Sequence, residues 1–437
     1  MAEAETAIQK AKSQLRNSAM RVGGRFTQRR ALMAYLAIVG PGIIAANAGN
    51  DASGIATYST VGAAYGYSLL WIFTPMLLSL IIVQEMCARM GVVTGKGLAD
   101  LIREQFGVRW TALVMLALLI ANTGVIISEF VGIAQASELF GIPRYITVPL
   151  TAGLIWWLVV RGTQKRVEQV FLAMSLVFLC YVVSAFLARP NWSEVATGFV
   201  SPTISFESGY LFMIVATIGT TITPFMQVFV QSSVVEKGMD EDDINLARAD
   251  VIVGTLFAMM IAAFIVISTA ATLHVQGVRE IDSAATAAAA LAPVAGNYAK
   301  VLFAVGLFGA AMLAMGVLPL ATAYSLSEAL GFEKGLSHSF REAPIFLGIF
   351  TTLIVIGGVV ALVPGIPQIQ LLLFTQCING LLLPVLLVAI LLLVNKREIM
   401  GDFANTRLLN LAAIAVTVVT STLSLLLLGL TIYNLIF

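Results

Sequence analysis

The residues able to do chemistry gather in two short stretches. The first runs Gly40-Pro41-Gly42 and then Asn47-Ala48-Gly49-Asn50-Asp51-Ala52-Ser53-Gly54. The second runs Gly219-Thr220-Thr221-Ile222-Thr223-Pro224, followed by Gln227, Gln231, Ser232 and Ser233. Each interrupts a long apolar run with glycine, proline and small polar residues. Proline removes an N–H and clashes with the carbonyl one turn back, and glycine lets the chain unwind. Carbonyls freed at membrane depth must then be satisfied by neighbours, water or an ion. Asp51 is the charged member of the pair of breaks, and neither run contains a lysine or arginine. A buried carboxylate is costly unless something pairs with it, so a bound cation is its natural counter-charge. Kinked packing helices are the competing reading, since Gly and Ser also serve close packing; Asp51 within the break weighs against it.

The remaining titratable residues are few. Glu85 and Arg89 are four apart near a helix end, which predicts a structural ion pair. Glu129 either lines an aqueous path or sits solvated near the outer end of its helix. His274 and His338 fall at span ends and are expected to be solvated rather than metal-binding. Cys87, Cys180 and Cys377 lie in apolar runs with neither disulfide nor zinc spacing, as buried small hydrophobes do. No nucleophile triad, metalloprotease or nucleotide motif is present, so an enzyme is not expected, nor is a resident cofactor.

The elements that must hold these residues are membrane helices. The 437 residues are 59% hydrophobic and only 11% charged, against roughly 25% charged in soluble domains, and mean hydropathy is +0.93. The apolar runs are long and do not alternate, which argues for an all-α membrane bundle and against a barrel. Spans are predicted near 33–60, 68–90, 111–137, 145–160, 167–188, 208–236, 249–274, 299–329, 344–363, 370–394 and 408–435. Basic residues concentrate on one side: Lys10, Lys12, Arg16, Arg21, Arg25, Arg29 and Arg30, then Lys96, Arg103 and Arg109, then Arg161, Lys165 and Arg166, then Lys334 and Arg341, then Lys396, Arg397 and Arg407. This predicts a cytoplasmic N-terminus and an outside C-terminus in the plasma membrane. Residues 1–30 read as a polar, basic cytoplasmic tail without a signal peptide. Residues 31–190 and 205–396 read as two five-helix repeats, and 405–437 as an eleventh helix. The acidic run Met239–Asp243 is expected to start a helix. The net charge of +1 gives no case for nucleic acid. The expected partners are the lipid bilayer and a small solute, with the chain as a monomer. Spans one and six hold matching places in the two halves. Paired interrupted helices in matching places of two repeats point to a transporter binding site.

At these residues the chain resembles the Nramp (natural-resistance-associated macrophage protein) family of divalent metal transporters. The likeness runs from Gly40-Pro41-Gly42 to Asp51, through Gly66-Tyr67-Ser68-Leu69-Leu70-Trp71 and Ala88-Arg89-Met90-Gly91-Val92-Val93-Thr94-Gly95. It continues with Glu129, Gln376 and the run Lys396 to Gly401. It implies the LeuT-type inverted-repeat fold with one further helix. The departures also inform. The family's first-helix Asp-Pro-Gly-Asn is here Asp51-Ala52-Ser53-Gly54. Its sixth-helix Met-Pro-His is Thr223-Pro224-Phe225. An aspartate of its third helix is Ile126.

Losing a thioether and an asparagine leaves oxygen ligands, which suit magnesium, calcium and manganese, and is expected to enlarge the pocket for a partly hydrated ion. The pattern is similar to the Nramp-related magnesium transporter branch. On this resemblance Asp51 supplies charge, the carbonyls of Ala48 and Thr220 and the Thr223 side chain supply oxygens, and Gln376 and Gln227 reach in. Asn50, Ser53, Gly54, Glu129 and Asn379 stand behind them or along the path. Whether Met226 or Gln227 faces the site is open, and an inward Met226 favours manganese. Loss of the histidine and aspartate implies import of Mg2+ (also Mn2+) without proton coupling. Two charges moving inward through 100 mV release about 4.6 kcal/mol. The rivals are a proton-coupled Mn2+/Fe2+ importer and, in another class, a cation-coupled amino-acid symporter.

Overall fold

The computed structural model describes residues 41–161, 169–170, 173, 179–289, 299–335 and 340–436. The expected tail 1–30, most of the expected fifth span and His338 lie outside these residues. Among the described residues every regular element is helical. In chain order these are α1 (Pro41–Ala48), α2 (Ala52–Tyr65), α3 (Phe73–Thr94), α4 (Leu98–Phe106), α5 (Val108–Glu138), α6 (Arg144–Arg161), α7 (Leu179–Leu187), α8 (Trp192–Val200) and α9 (Ser208–Thr221). They continue with α10 (Pro224–Glu236), α11 (Ile244–Thr269), α12 (Ala284–Ala289), α13 (Ala299–Leu330), α14 (Pro344–Ala361), α15 (Gln368–Val394), α16 (Arg397–Met400) and α17 (Arg407–Ile436).

By length and composition, 8 of the described helical stretches are able to cross a membrane. The other expected spans are the broken pair α1–α2, helix α6 and the fifth, of which α7 is described. Both breaks fall where glycine and proline predict them. α1 ends at Ala48 and α2 resumes at Ala52; α9 ends at Thr221 and α10 resumes with Pro224 in its first turn, where the missing N–H costs nothing. The acidic run does start a helix. Asp240 accepts a hydrogen bond from Asp242 N at 3.2 Å, Asp243 accepts one from Asp240 N at 3.4 Å, and the turn Glu241–Asp243 leads into α11. The short helices α4 and α8 stand where the sequence suggested plain connections.

The two halves of each broken helix lie deep in the bundle; Ala52 to Ser59 and Pro224 to Val234 are buried throughout. The outer faces are apolar, with Leu113, Leu116 and Ile120 of α5 more than half exposed. That arrangement suits lipid, which needs no polar cover. Helix α17 is peripheral and reaches the bundle through Leu427, which clusters with Leu211, Val215, Ala216 and Cys377. Cys87 and Cys377 are free and buried, as expected.

Backbone contact between helices depends on glycine. A Cβ on Gly219 of α9 would stand 2.1 Å from the Gln376 carbonyl oxygen and 2.5 Å from Gly380 N on α15. A Cβ on Gly380 would stand 2.5 Å from the Val215 carbonyl oxygen. Only small residues allow helices to approach this closely, and the approach sets Gln376 beside the first break. A Cβ on Gly254 of α11 would likewise lie 2.6 Å from Ile43 Cα of α1. We expect Gly219→Ala to cost about 1–3 kcal/mol through overpacking, read as a lower Tm of the detergent-solubilised protein. Gly153→Ala, with nothing within 4 Å of the added methyl, is expected to leave Tm unchanged or slightly raised.

Candidate functional site

The start of α2 organises the site. Asp51 is its N-cap, extended at φ −69 and ψ −179, and its Oδ1 accepts a hydrogen bond from Gly54 N at 2.5 Å. Glu129 of α5 takes the two preceding donors: Ala52 N reaches its Oε2 at 2.9 Å and Ser53 N its Oε1 at 3.3 Å. The Ser53 hydroxyl donates to the same Oε1 at 3.0 Å and lies 2.7 Å from Ser128 Oγ. The opening N–H groups of a helix lack internal partners and carry the positive end of its dipole. Here two carboxylates from distant parts of the chain occupy them. Glu129 is fully buried, so the alternative in which it is solvated at a helix end does not hold.

The carbonyls nominated from sequence lose their helical donors at this point. In a continuous helix Ala52 N would bond the Ala48 carbonyl; it goes to Glu129 instead. The residue four after Thr220 is Pro224, which has no N–H. Oxygens converge on the gap. A Cβ on Gly54 would meet Gly49 O at 2.6 Å, Thr220 Oγ1 at 3.0 Å and Asp51 Oδ1 at 3.1 Å. Gly54 therefore does not enlarge the pocket in this conformation, contrary to expectation; the Gly49 carbonyl fills the space. Thr220 Oγ1 also approaches Gly49 O at 3.5 Å.

Gln376 of α15 reaches Asp51, but through its nitrogen. Its Nε2 lies 3.2 Å from Oδ2 and 3.4 Å from Oδ1, while its Oε1 accepts from Asn379 Nδ2 at 3.0 Å. For Gln376 to offer oxygen to a cation at Asp51, the amide has to turn over. Met226 points into the first break: its Cε lies 1.9 Å from where a Gly49 Cβ would stand. Its sulfur receives Gln84 Nε2 at 3.8 Å. Gln227 donates to Thr223 O at 3.5 Å. Its Oε1, with Thr223 Oγ1 and Asn379 Oδ1, is buried and accepts no hydrogen bond. Asn50 points elsewhere, donating to Ala258 O of α11 at 3.0 Å. Thus Asp51, Glu129, Ser53, Gly54, Thr220 and Gln376 come together, with Asn379 behind. Tyr58 and Thr221, whose hydroxyls lie 2.9 Å apart and tie α2 to α9, were not foreseen; nothing in their spacing marks them.

Asp51 and Glu129 have no cationic partner among the described residues. The buried arginine, Arg89, serves Glu85 at 3.0 Å, as its spacing predicts, and Arg248 joins that pair at 2.8 Å. His274 is half-buried rather than solvated, its Nδ1 2.7 Å from Ala63 O. Among the described residues no three of His, Cys, Asp or Glu gather as a metal cage; what gathers at the break is two carboxylates, neutral oxygens and the Met226 side chain. Each of these site residues is buried.

The family model described as natural resistance-associated macrophage protein-like (Nramp) matches residues 42–430. The divalent metal cation transporter MntH of Deinococcus radiodurans is 28% identical over 391 residues, covering 86% of this chain and 86% of that protein. MntH of Ralstonia nicotianae is 28% identical over 406 residues, covering 86% and 87%. Among solved structures, the manganese transporter of Eremococcus coleocola, in complex with an aromatic bis-isothiourea substituted compound, superimposes with a TM-score of 0.73 at 20% identity, over 92% of this chain and 87% of that one. Mhp1, a nucleobase-cation-symport-1 family transporter in a closed conformation, gives 0.55 at 13% identity, over 91% and 93%. The fold is the LeuT-type inverted repeat with one further helix.

Removing the Glu129 cap leaves two buried donors unmatched. Glu129→Ala is expected to cost about 1–3 kcal/mol for each of them, read as a lower Tm. Glu129→Gln, which keeps an acceptor for one of the two N–H groups and turns an NH2 toward the other, is expected to lose less than Glu129→Ala but more than nothing.

Proposed function

The chain belongs to the Nramp family, and from that premise we propose that it imports divalent cations, Mg2+ first and Mn2+ also, by alternating access and without obligatory proton coupling. Membership makes it a multi-pass membrane transporter of metal cations, as its relatives' names state for them. The observation that carries the finer reading is the pair of buried carboxylates at the α1–α2 break, which lacks a cationic partner among the described residues. Oxygens of Gly49 and Thr220 converge beside Asp51, and Thr223 Oγ1 and Gln227 Oε1 accept no hydrogen bond. Such a donor set is hard, and hard oxygen donors suit magnesium and manganese. Absence of coupling is supported by Ile126 and Phe225, apolar, fully buried and unable to carry a proton, at positions where the resemblance implies an aspartate and a histidine. The basic residues on one side support a cytoplasmic N-terminus in the plasma membrane.

A second reading, a proton-coupled Mn2+/Fe2+ importer, draws support from Met226. Its thioether side chain lies against Gly49 and offers a softer contact. The amino-acid symporter is disfavoured by the cap of α2. Carriers of that kind hold the substrate carboxylate on half-helix N–H groups, and Asp51 and Glu129 already take those groups here.

Uptake by purified protein in proteoliposomes at a fixed potential, with a pH dye inside, tests the proposal. Wild type is expected to take up Mg2+ and Mn2+ with no acidification of the lumen. Asp51→Ala is expected to lose at least about tenfold in uptake, equivalent to about 1.4 kcal/mol of ion binding. Acidification that tracks uptake would establish the coupled reading, and strong preference for iron over magnesium would overturn the selectivity.

A further inference from the structure

Helix α10 carries a stripe of unmatched oxygens leading away from the break. Thr223, Gln227 and Gln231 follow each other at four-residue spacing, which puts them on one helix face. All are fully buried. Thr223 Oγ1, Gln227 Oε1 and Gln231 Oε1 each accept no hydrogen bond among the described residues. The glutamine nitrogens are turned onto carbonyls, Gln227 Nε2 to Thr223 O at 3.5 Å and Gln231 Nε2 to Lys96 O at 2.9 Å. The two glutamines offer acceptors only, and the Thr223 hydroxyl offers an acceptor beside an O–H that is free to rotate. Other buried hydroxyls of the same broken helix satisfy themselves: Thr217 donates to Met213 O and Thr221 to Thr217 O. An unmatched buried polar atom is uncommon and costs about 1–3 kcal/mol. Three along one face call for a functional explanation.

We propose that Thr223, Gln227 and Gln231 line the path by which a partly hydrated divalent cation leaves the break toward the basic, cytoplasmic face, with the Glu328 carboxylate at its end. This rests on the reading of the chain as a cation importer. A hydrated cation turns water O–H groups outward, and magnesium keeps several of its waters; a row of bare acceptors matches that shell. An anionic solute would need the donors that the two glutamines turn away.

The far end of the stripe meets a charge. Gln231 rests on Lys96, and Glu328 rests on the next residue, where a Cβ on Gly97 would stand 2.0 Å from Glu328 Cδ. Glu328 of α13 accepts from Ser232 Oγ at 2.7 Å and from Ala99 N at 3.3 Å, and pairs with Lys334 Nζ at 3.0 Å. Lys334 also reaches Asp100 at 2.8 Å. These contacts join α4, α10 and α13 and close the path. Lys334 occupies the place at Glu328 that the departing cation takes when the helices separate.

The test uses the full chain and Mn2+ as the probe. In proteoliposomes, Gln227→Leu with Gln231→Leu is expected to lower the uptake rate at saturating Mn2+ by at least about tenfold, since two polar partners of a charged shell are lost. The dissociation constant for Mn2+ in detergent, by titration calorimetry, is expected to stay within about twofold of wild type in Gln231→Leu alone, a residue outside the donor set at the break. The Asn pair at both positions keeps the acceptors and is expected to recover most of the rate. A wild-type rate in the Leu pair overturns the path while leaving the importer reading intact; absence of saturable Mn2+ binding by the wild type overturns both. Should the Leu pair not fold, cysteines placed singly at 227, 231 and 228 with the native cysteines replaced decide the matter. Gln227→Cys and Gln231→Cys are expected to react with a charged thiol reagent applied from the cytoplasmic side, with protection by Mn2+, and Val228→Cys to stay unreactive. No reaction at 227 and 231, or equal reaction at 228, overturns the path.

Discussion

The first N–H groups of helix α2 are held by two carboxylates, Asp51 and Glu129, that arrive from sites 78 residues apart in the chain. Everything else about the site follows from that. A helix that starts in mid-bundle exposes donors that lipid cannot satisfy, and the positive end of its dipole draws negative charge. Filling it with the protein's own carboxylates closes it to anions. It also concentrates negative charge where the chain supplies no lysine or arginine among the described residues. On the proposed reading a divalent cation is the counter-charge, and the Thr220 carbonyl oxygen released by the second break lies 3.1 Å from where a Gly49 Cβ would stand.

The surrounding packing serves this arrangement. Gly219 and Gly380 let α9 and α15 touch through their backbones, which brings Gln376 to Asp51. Gly254 does the same for α11 against α1. With these crossings fixed, the site is buried and its parts are few. The Gln376 amide presents nitrogen to Asp51, so the closed state holds the carboxylate with a neutral donor that a cation must displace. A carrier needs such a contact to be weak enough to exchange, since the ion has to enter and leave on each cycle.

Much of the fold was legible in the sequence because the membrane demands continuous apolar runs. The spans expected at 208–236, 344–363 and 370–394 agree with the helices Ser208–Glu236, Pro344–Ala361 and Gln368–Val394 to within two residues. The breaks were legible because Gly49, Gly219 and Pro224 act locally. Asp51 was legible because a charge in such a run has few explanations. What escaped was pairing across distance. No spacing rule links Glu129 to Ala52 or Tyr58 to Thr221, and the choice between Met226 and Gln227 depends on helix rotation, which no local signal fixes. Gly54 was misread for a related reason. A missing side chain suggests room, but the Gly49 carbonyl moves into it once the helix is broken. Helices α4 and α8 were missed because they are short and their amphipathic pattern is brief.

The central claim is that the carboxylate at position 51 is neutralised by a travelling metal ion. Crystals grown with Mn2+ and measured at its absorption edge test it without any variant or transport assay. The account predicts one anomalous peak at coordination distance, roughly 2.0–2.6 Å for hard oxygen ligands, from Asp51 Oδ or from a water bound to it, between the ends of α1 and α9. Anomalous density confined to other places, with Gln376 still bonded to Asp51 at saturating Mn2+, would contradict it.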